Sequence, residues 1–196
     1  MTAPFVVLHV CTGNICRSPM AERIMTAELS RRLGPAAGEV EVRGAGTYGG
    51  HEGRPMHGPA AEVLEELGYD PTGFRATWLR EAAVADAGLV LTATVEHRGH
   101  VLRLHPAALR RTFTLKELAR LAGGLPADAL PAGGPAQRLA GLAALADAQR
   151  AVHRPPHRHA DDIADPYGQP LPIYRRTADE IRTAVDVIVE RVAAGS

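Results

Sequence analysis

Residues 4–18, PFVVLHVCTGNICRS, restrict the possible folds of this chain more than any other stretch. PFVVLHV is an apolar run of strand length, the pattern of a strand buried on both faces of a parallel sheet. The run ends at Cys11 in a short glycine-containing turn. Beyond it, Met20, Ile24, Ala27 and Leu29 recur at helical spacing to about Leu33, where Gly34 and Pro35 stop the segment. Ser18 is expected to cap this helix, with Pro19 at its first position.

The remainder repeats that strand-to-helix rhythm. EVEVRGAG (39–46) reads as a second strand, Pro59 to Leu67 as a helix closed by Gly68, and AGLVLTA (87–93) as a third strand. A helix from about Val95 to Leu104 and a short strand near Thr112 to Leu115 follow. The last helix, about Thr177 to Val192, places Ile181, Val185, Ile188, Val189 and Val192 on one face. Helices between strands require right-handed parallel crossovers, so the expected fold is α/β, an open sheet with helices on both faces. Its length favours one domain over residues 1–196. Residues 122–164, rich in Ala, Gly, Pro, Arg and Leu, read as a long surface insertion with mobile flanks around a helix from about Ala136 to Val152.

Charge limits the partners. The 22 basic and 22 acidic side chains cancel, so there is no overall field for nucleic acid or an anionic membrane, and any anion must be caught locally. Residues 1–10 carry neither a basic leader region nor an apolar run long enough to span, and the chain reads as cytoplasmic. In that compartment the only two cysteines, Cys11 and Cys16, are not expected to form a structural disulfide, although a transient bond remains open.

A loop from a strand's carboxyl end to a helix start is where backbone N–H groups converge. Gly13 and Asn14 accept positive φ, so the loop can curl until several N–H groups face inward as an anion nest. Thr12, Gly13, Asn14, Ile15, Cys16 and Ser18 are therefore candidate phosphate contacts, and Arg17 adds a planar fork able to grip two phosphate oxygens. The same field favours a thiolate at Cys11, a sulfur nucleophile facing a bound phosphorus. The Ser18 hydroxyl can donate to that sulfur. There is no magnesium-dependent GxxxxGK[ST] loop, and no metal or other cofactor is expected.

A leaving group needs a proton, and Asp165 in ADPYGQP is the best acid in the sequence, with Tyr167 as a wall for an aromatic substrate; Asp161 and Asp162 are rivals. His153, His157 and His159 read as a solvated loop rather than a metal site. Trp78 and Phe113 read as core, and His97 and His100 as solvent-facing.

CTGNICRSPMAE (11–22) followed by DPYG (165–168) resembles the low-molecular-weight protein tyrosine phosphatases, and GAGTYGGHEGRPM (44–56) is similar to that family's second-strand loop. The resemblance covers most of the chain outside 122–160. It implies four parallel strands and metal-free hydrolysis of phosphotyrosine in proteins or peptides through a phosphocysteine. Cys11 would be the nucleophile, Arg17 the phosphate clamp, Asp165 the acid and then the base. Asn14 would hold the loop, and Cys16 would be either a redox guard for Cys11 or a small buried residue. Ile15 resembles the phosphotyrosine-directed members, whereas those acting on phosphoarginine tend to carry Thr; a protein-arginine phosphatase and a non-catalytic phosphate-binding or redox-sensing module are the alternatives. A monomer is the expected state. Gly44 stands where the family usually has Ser, and Phe74 near its usual His, so Asn14 is expected to find other partners.

Overall fold

The computed structural model describes residues 3–194. Its elements are β1 (Phe5–Cys11), α1 (Arg17–Leu33), β2 (Val40–Gly46), α2 (Gly58–Glu66), α3 (Glu81–Asp86), β3 (Leu89–Thr92), α4 (Val95–Leu104), β4 (Thr112–Thr114), α5 (Leu115–Gly123), α6 (Pro135–Gln149) and α7 (Leu171–Ala193). The four strands form one sheet in the order β2-β1-β3-β4, with every pairing parallel. Cys11 lies opposite Gly46 at the carboxyl end of β1, so the following loop starts over the sheet's edge.

The central strand β1 is buried on both faces, which is why it lacks polar alternation. Val7 packs on one side with Ile24, Leu118, Leu142 and Ile181 from α1, α5, α6 and α7. Val6, Leu8 and Val10 pack on the other with Val84 of α3 and Val101 of α4. Among the described residues no helix is long and apolar enough to cross a membrane.

Three local readings change. Ser18 is not a cap: α1 starts at Arg17, its N-cap residue Cys16 makes no side-chain cap bond, and the Ser18 hydroxyl is engaged elsewhere. The last helix begins at Leu171 rather than Thr177, because Pro172 sits in the first turn, where no N–H is required, and Tyr174 is fully buried there. Two helices were not foreseen: α3, a short one just before β3, and α5, which opens on a capping box in which Thr114 and Glu117 bond each other's backbone N–H. In the segment read as a surface insertion, α6 buries Leu139, Leu142, Ala143 and Ala146 in the main core. Arg138 ties it to α7 by donating to the carbonyls of Arg191 and Val192.

Candidate active site

The loop between β1 and α1 is fixed from outside by its carbonyls. Cys11 O accepts from Thr47 N (2.9 Å), Thr12 O from Tyr48 N (2.8 Å) and Ile15 O from His57 N (2.8 Å). Because a trans peptide is planar, the N–H after each of these carbonyls, on Thr12, Gly13 and Cys16, points away from those neighbours. Gly46 lets the loop sit this close to the sheet: a Cβ there would come within 2.8–2.9 Å of backbone atoms of Thr12, Gly13 and Asn14.

Asn14 holds the tightest turn. Of the two residues expected to accept positive φ only Asn14 does so, at 52°. The conformation is costly for a side-chain-bearing residue and has to be held by its surroundings. Its Oδ1 accepts from Thr77 N and its Nδ2 donates to Ser18 Oγ, both at 2.8 Å. These are the substitute partners that Gly44 and Phe74 made necessary. Because Ser18 Oγ already accepts from Asn14, its own proton is left for Cys11 Sγ, 3.0 Å away. Gly44 supplies room, since a Cβ there would lie 2.6 Å from Asn14 Nδ2 and 2.8 Å from Glu22 Oε2. Burial raises the Glu22 carboxyl to about 7, against the opposing pull of Arg23 and the Gly44 backbone.

Arg17 joins the loop to the far end of the chain. Its Nη1 donates to Ile163 O (3.1 Å), and its Nη2 donates to Asp165 Oδ2 (2.7 Å) and Thr12 Oγ1 (3.3 Å). Asp165 Oδ1 accepts from Tyr167 N (3.2 Å), closing the DPYG turn. The rival carboxylates are otherwise engaged: Asp161 takes a forked bond from Arg120, and Asp162 accepts from Val95 N and pairs with His159. A pocket of about 90 Å³ is lined by Cys11, Thr12, Gly13, Ile15, Cys16, Arg17, His51, Asp165 and Tyr167. All ten sequence-derived candidates thus line this pocket or, for Asn14 and Ser18, support its floor. Cys11 and Cys16 are both free thiols. Burial pushes the Cys16 thiol up to about 12, with the Cys11 charge adding to the effect.

Several participants were not legible in sequence. His97, read as solvent-facing, is buried at 8% exposure; its Nε2 meets Thr12 Oγ1 and its Nδ1 meets Thr94 Oγ1, each at 2.9 Å. Burial and the Arg17 charge hold His97 down at about 4. The Thr94-x-x-His97 cap spacing was the available signal. His51 forms the rim with Tyr48 edge-on against it, ring centroids 5.4 Å apart. Trp78, read as core, is 39% exposed, with Arg80 stacked over its ring at 4.0 Å. His159 lies beside Glu96 and Asp162 in an exposed cluster whose ligand atoms all fall within 4.8 Å of one another.

A Cys-x5-Arg loop at the carboxyl end of the first strand of a four-stranded parallel sheet places the molecule among small α/β phosphatases. The chain belongs to the low molecular weight phosphotyrosine protein phosphatase family, whose model matches residues 6–124. It is a phosphoric monoester hydrolase, and its substrates are phosphoproteins. A protein-arginine-phosphatase of Geobacillus stearothermophilus is 30% identical over 96% of this chain and 97% of its own length. A low molecular weight protein-tyrosine phosphatase A of Mycobacterium tuberculosis is 49% identical over 39% of this chain and 45% of its own. The crystal structure of the low molecular weight protein tyrosine phosphatase from T. tengcongensis superposes with a TM-score of 0.67 at 34% identity, covering 95% of this chain and 98% of that one.

Proposed function

We propose that this phosphatase hydrolyses phosphotyrosine in proteins through a phosphocysteine, without a metal. The observation that carries the reading is the meeting of Cys11 and Asp165, from opposite ends of the chain, in one pocket around Arg17. An entering phosphate replaces Asp165 on Arg17 and takes up the loop N–H groups. The Cys11 thiolate attacks phosphorus; the S–P bond forms as the P–O ester bond breaks, while Arg17 and the amides balance charge on the equatorial oxygens. The Asp165 carboxylate freed from Arg17 takes a proton from solvent and passes it to the departing phenolate. Its carboxylate then takes a proton from water, which attacks phosphorus and releases phosphate, and the Ser18 hydroxyl stabilises the returning thiolate. Ile15 offers a dry contact for the phenyl ring, and His51 and Tyr167 wall the slot.

A second reading, phosphoarginine hydrolysis on the same machinery, is supported by the relative of that name that aligns over nearly the whole chain. Turnover of phosphotyrosine, phosphoarginine and phosphoserine peptides in EDTA separates the two. Phosphotyrosine is expected to lead, and the phosphocysteine to be trapped on denaturation. A preference for phosphoarginine would transfer the assignment, and full activity in Cys11→Ser would end both. Asp165→Asn is expected to slow poor aryl leaving groups more than good ones; equal slowing moves the acid role to another group.

A further inference from the structure

Next to the phosphate loop lies a small cavity of about 10 Å³ lined by His9, Arg17, Ser18, Thr92 and the apolar side chains of Leu91, Leu115, Ile163 and Ile181. Two of its lining groups carry buried polar atoms with no partner among the described residues: Nε2 of His9 and Nε of Arg17. Every other anchor of the guanidinium is on its two terminal nitrogens. His9 is 2% exposed and Arg17 5%. Leaving either atom unpaired costs roughly 1–3 kcal/mol, and more for the charged one.

We propose that this cavity binds a single water molecule that bridges Arg17 Nε and His9 Nε2, making His9 a positioning residue for the phosphate clamp. The volume is that of about one water, and two polar groups lining the same cavity are the least such a water needs. It accepts from the Arg17 Nε–H and donates to His9 Nε2, with the imidazole hydrogen on Nδ1. Burial holds His9 down at about 3, so it faces the guanidinium as a neutral acceptor and does not repel it. Arg17 is thereby gripped by Ile163 O on one terminal nitrogen and by the water on Nε, which leaves the other terminal nitrogen to exchange Asp165 for phosphate. An otherwise apolar strand thus keeps one polar side chain, at the position that reaches the clamp's rear.

The inference rests on Arg17 being the phosphate clamp, so its test reads phosphate binding rather than turnover. A crystal structure is expected to show one ordered water within hydrogen-bonding distance of both atoms. His9→Phe, which fills the cavity with an apolar ring, is expected to weaken inorganic phosphate binding by about tenfold, the size of a lost hydrogen bond to a charged group. His9→Gln, whose carboxamide reaches nearly as far as Nε2, is expected to recover affinity to within about threefold of the parent. An empty cavity in that structure, or undiminished phosphate binding by folded His9→Phe, overturns the proposal, as does a His9→Gln as weak as His9→Phe. If the parent binds phosphate but turns over no phosphopeptide, the functional reading fails while this one stands.

Discussion

The Glu22 carboxyl stores destabilisation that depends on pH. Its side chain is 17% exposed, its Oε2 lies where a Cβ on Gly44 would come within 2.8 Å, and Arg23 Nε is 3.9 Å from Oε1. Burial raises it from 4.5 to about 7. Between those values the folded chain holds a proton that the unfolded chain has released. The contribution of this group is therefore complete below 4.5, declines as pH rises through about 7, and is lost above. At about 1.4 kcal/mol per pH unit, ionising Glu22 in place costs up to roughly 3 kcal/mol. Glu22→Gln keeps the shape and removes the ionisation. Urea unfolding is expected to find it about 2–3 kcal/mol more stable relative to the parent at pH 8.5 than at pH 5. Each kcal/mol corresponds to about 2–4 °C in Tm for a chain of this size. A stability difference between the two proteins that is flat from pH 5 to 8.5 would refute the reasoning.

Gly44→Ala drives a Cβ against Asn14 Nδ2 and Glu22 Oε2 and is expected to lower kcat by about tenfold through the Asn14–Ser18–Cys11 chain; unchanged aryl phosphate turnover would release Gly44 from that role. With the Cys16 thiol pushed up to about 12, iodoacetamide at pH 8 is expected to label Cys11 alone, and mass spectrometry showing equal labelling would contradict it. Leu142→Ala in α6, at 0% exposure, is expected to cost about 2–5 kcal/mol by denaturant unfolding, against under 1 if the segment were slack.

The Cys11 loop was legible because its requirements are local. A buried strand, a turn residue able to take positive φ and a helix start lie within fourteen residues of one another, and each leaves its own mark. Asp165 was legible as the preferred acid, over Asp161 and Asp162, but nothing near it in sequence names Arg17 as its partner. His97 was misplaced because a short helix with weak amphipathic patterning does not show which side faces the loop. Trp78 was misplaced because aromatic character suggests burial, whereas its ring lies against Gly49 and under Arg80 at the surface. Within α6, alanine and leucine on several faces hid the stripe that packs on α5 and α7.

Sequence alone determined the parallel α/β class and the residue types of the tight loop at 11–18, because strand burial, helix spacing and turn residues able to take positive φ are properties of neighbouring positions. Only the tertiary structure decided which carboxylate meets Arg17, that Thr77 and Ser18 hold Asn14 in place of the expected supports, and that His9 and Arg17 share a cavity. Those are contacts between distant segments, set by strand order and helix packing, and no local pattern encodes the distance between their atoms.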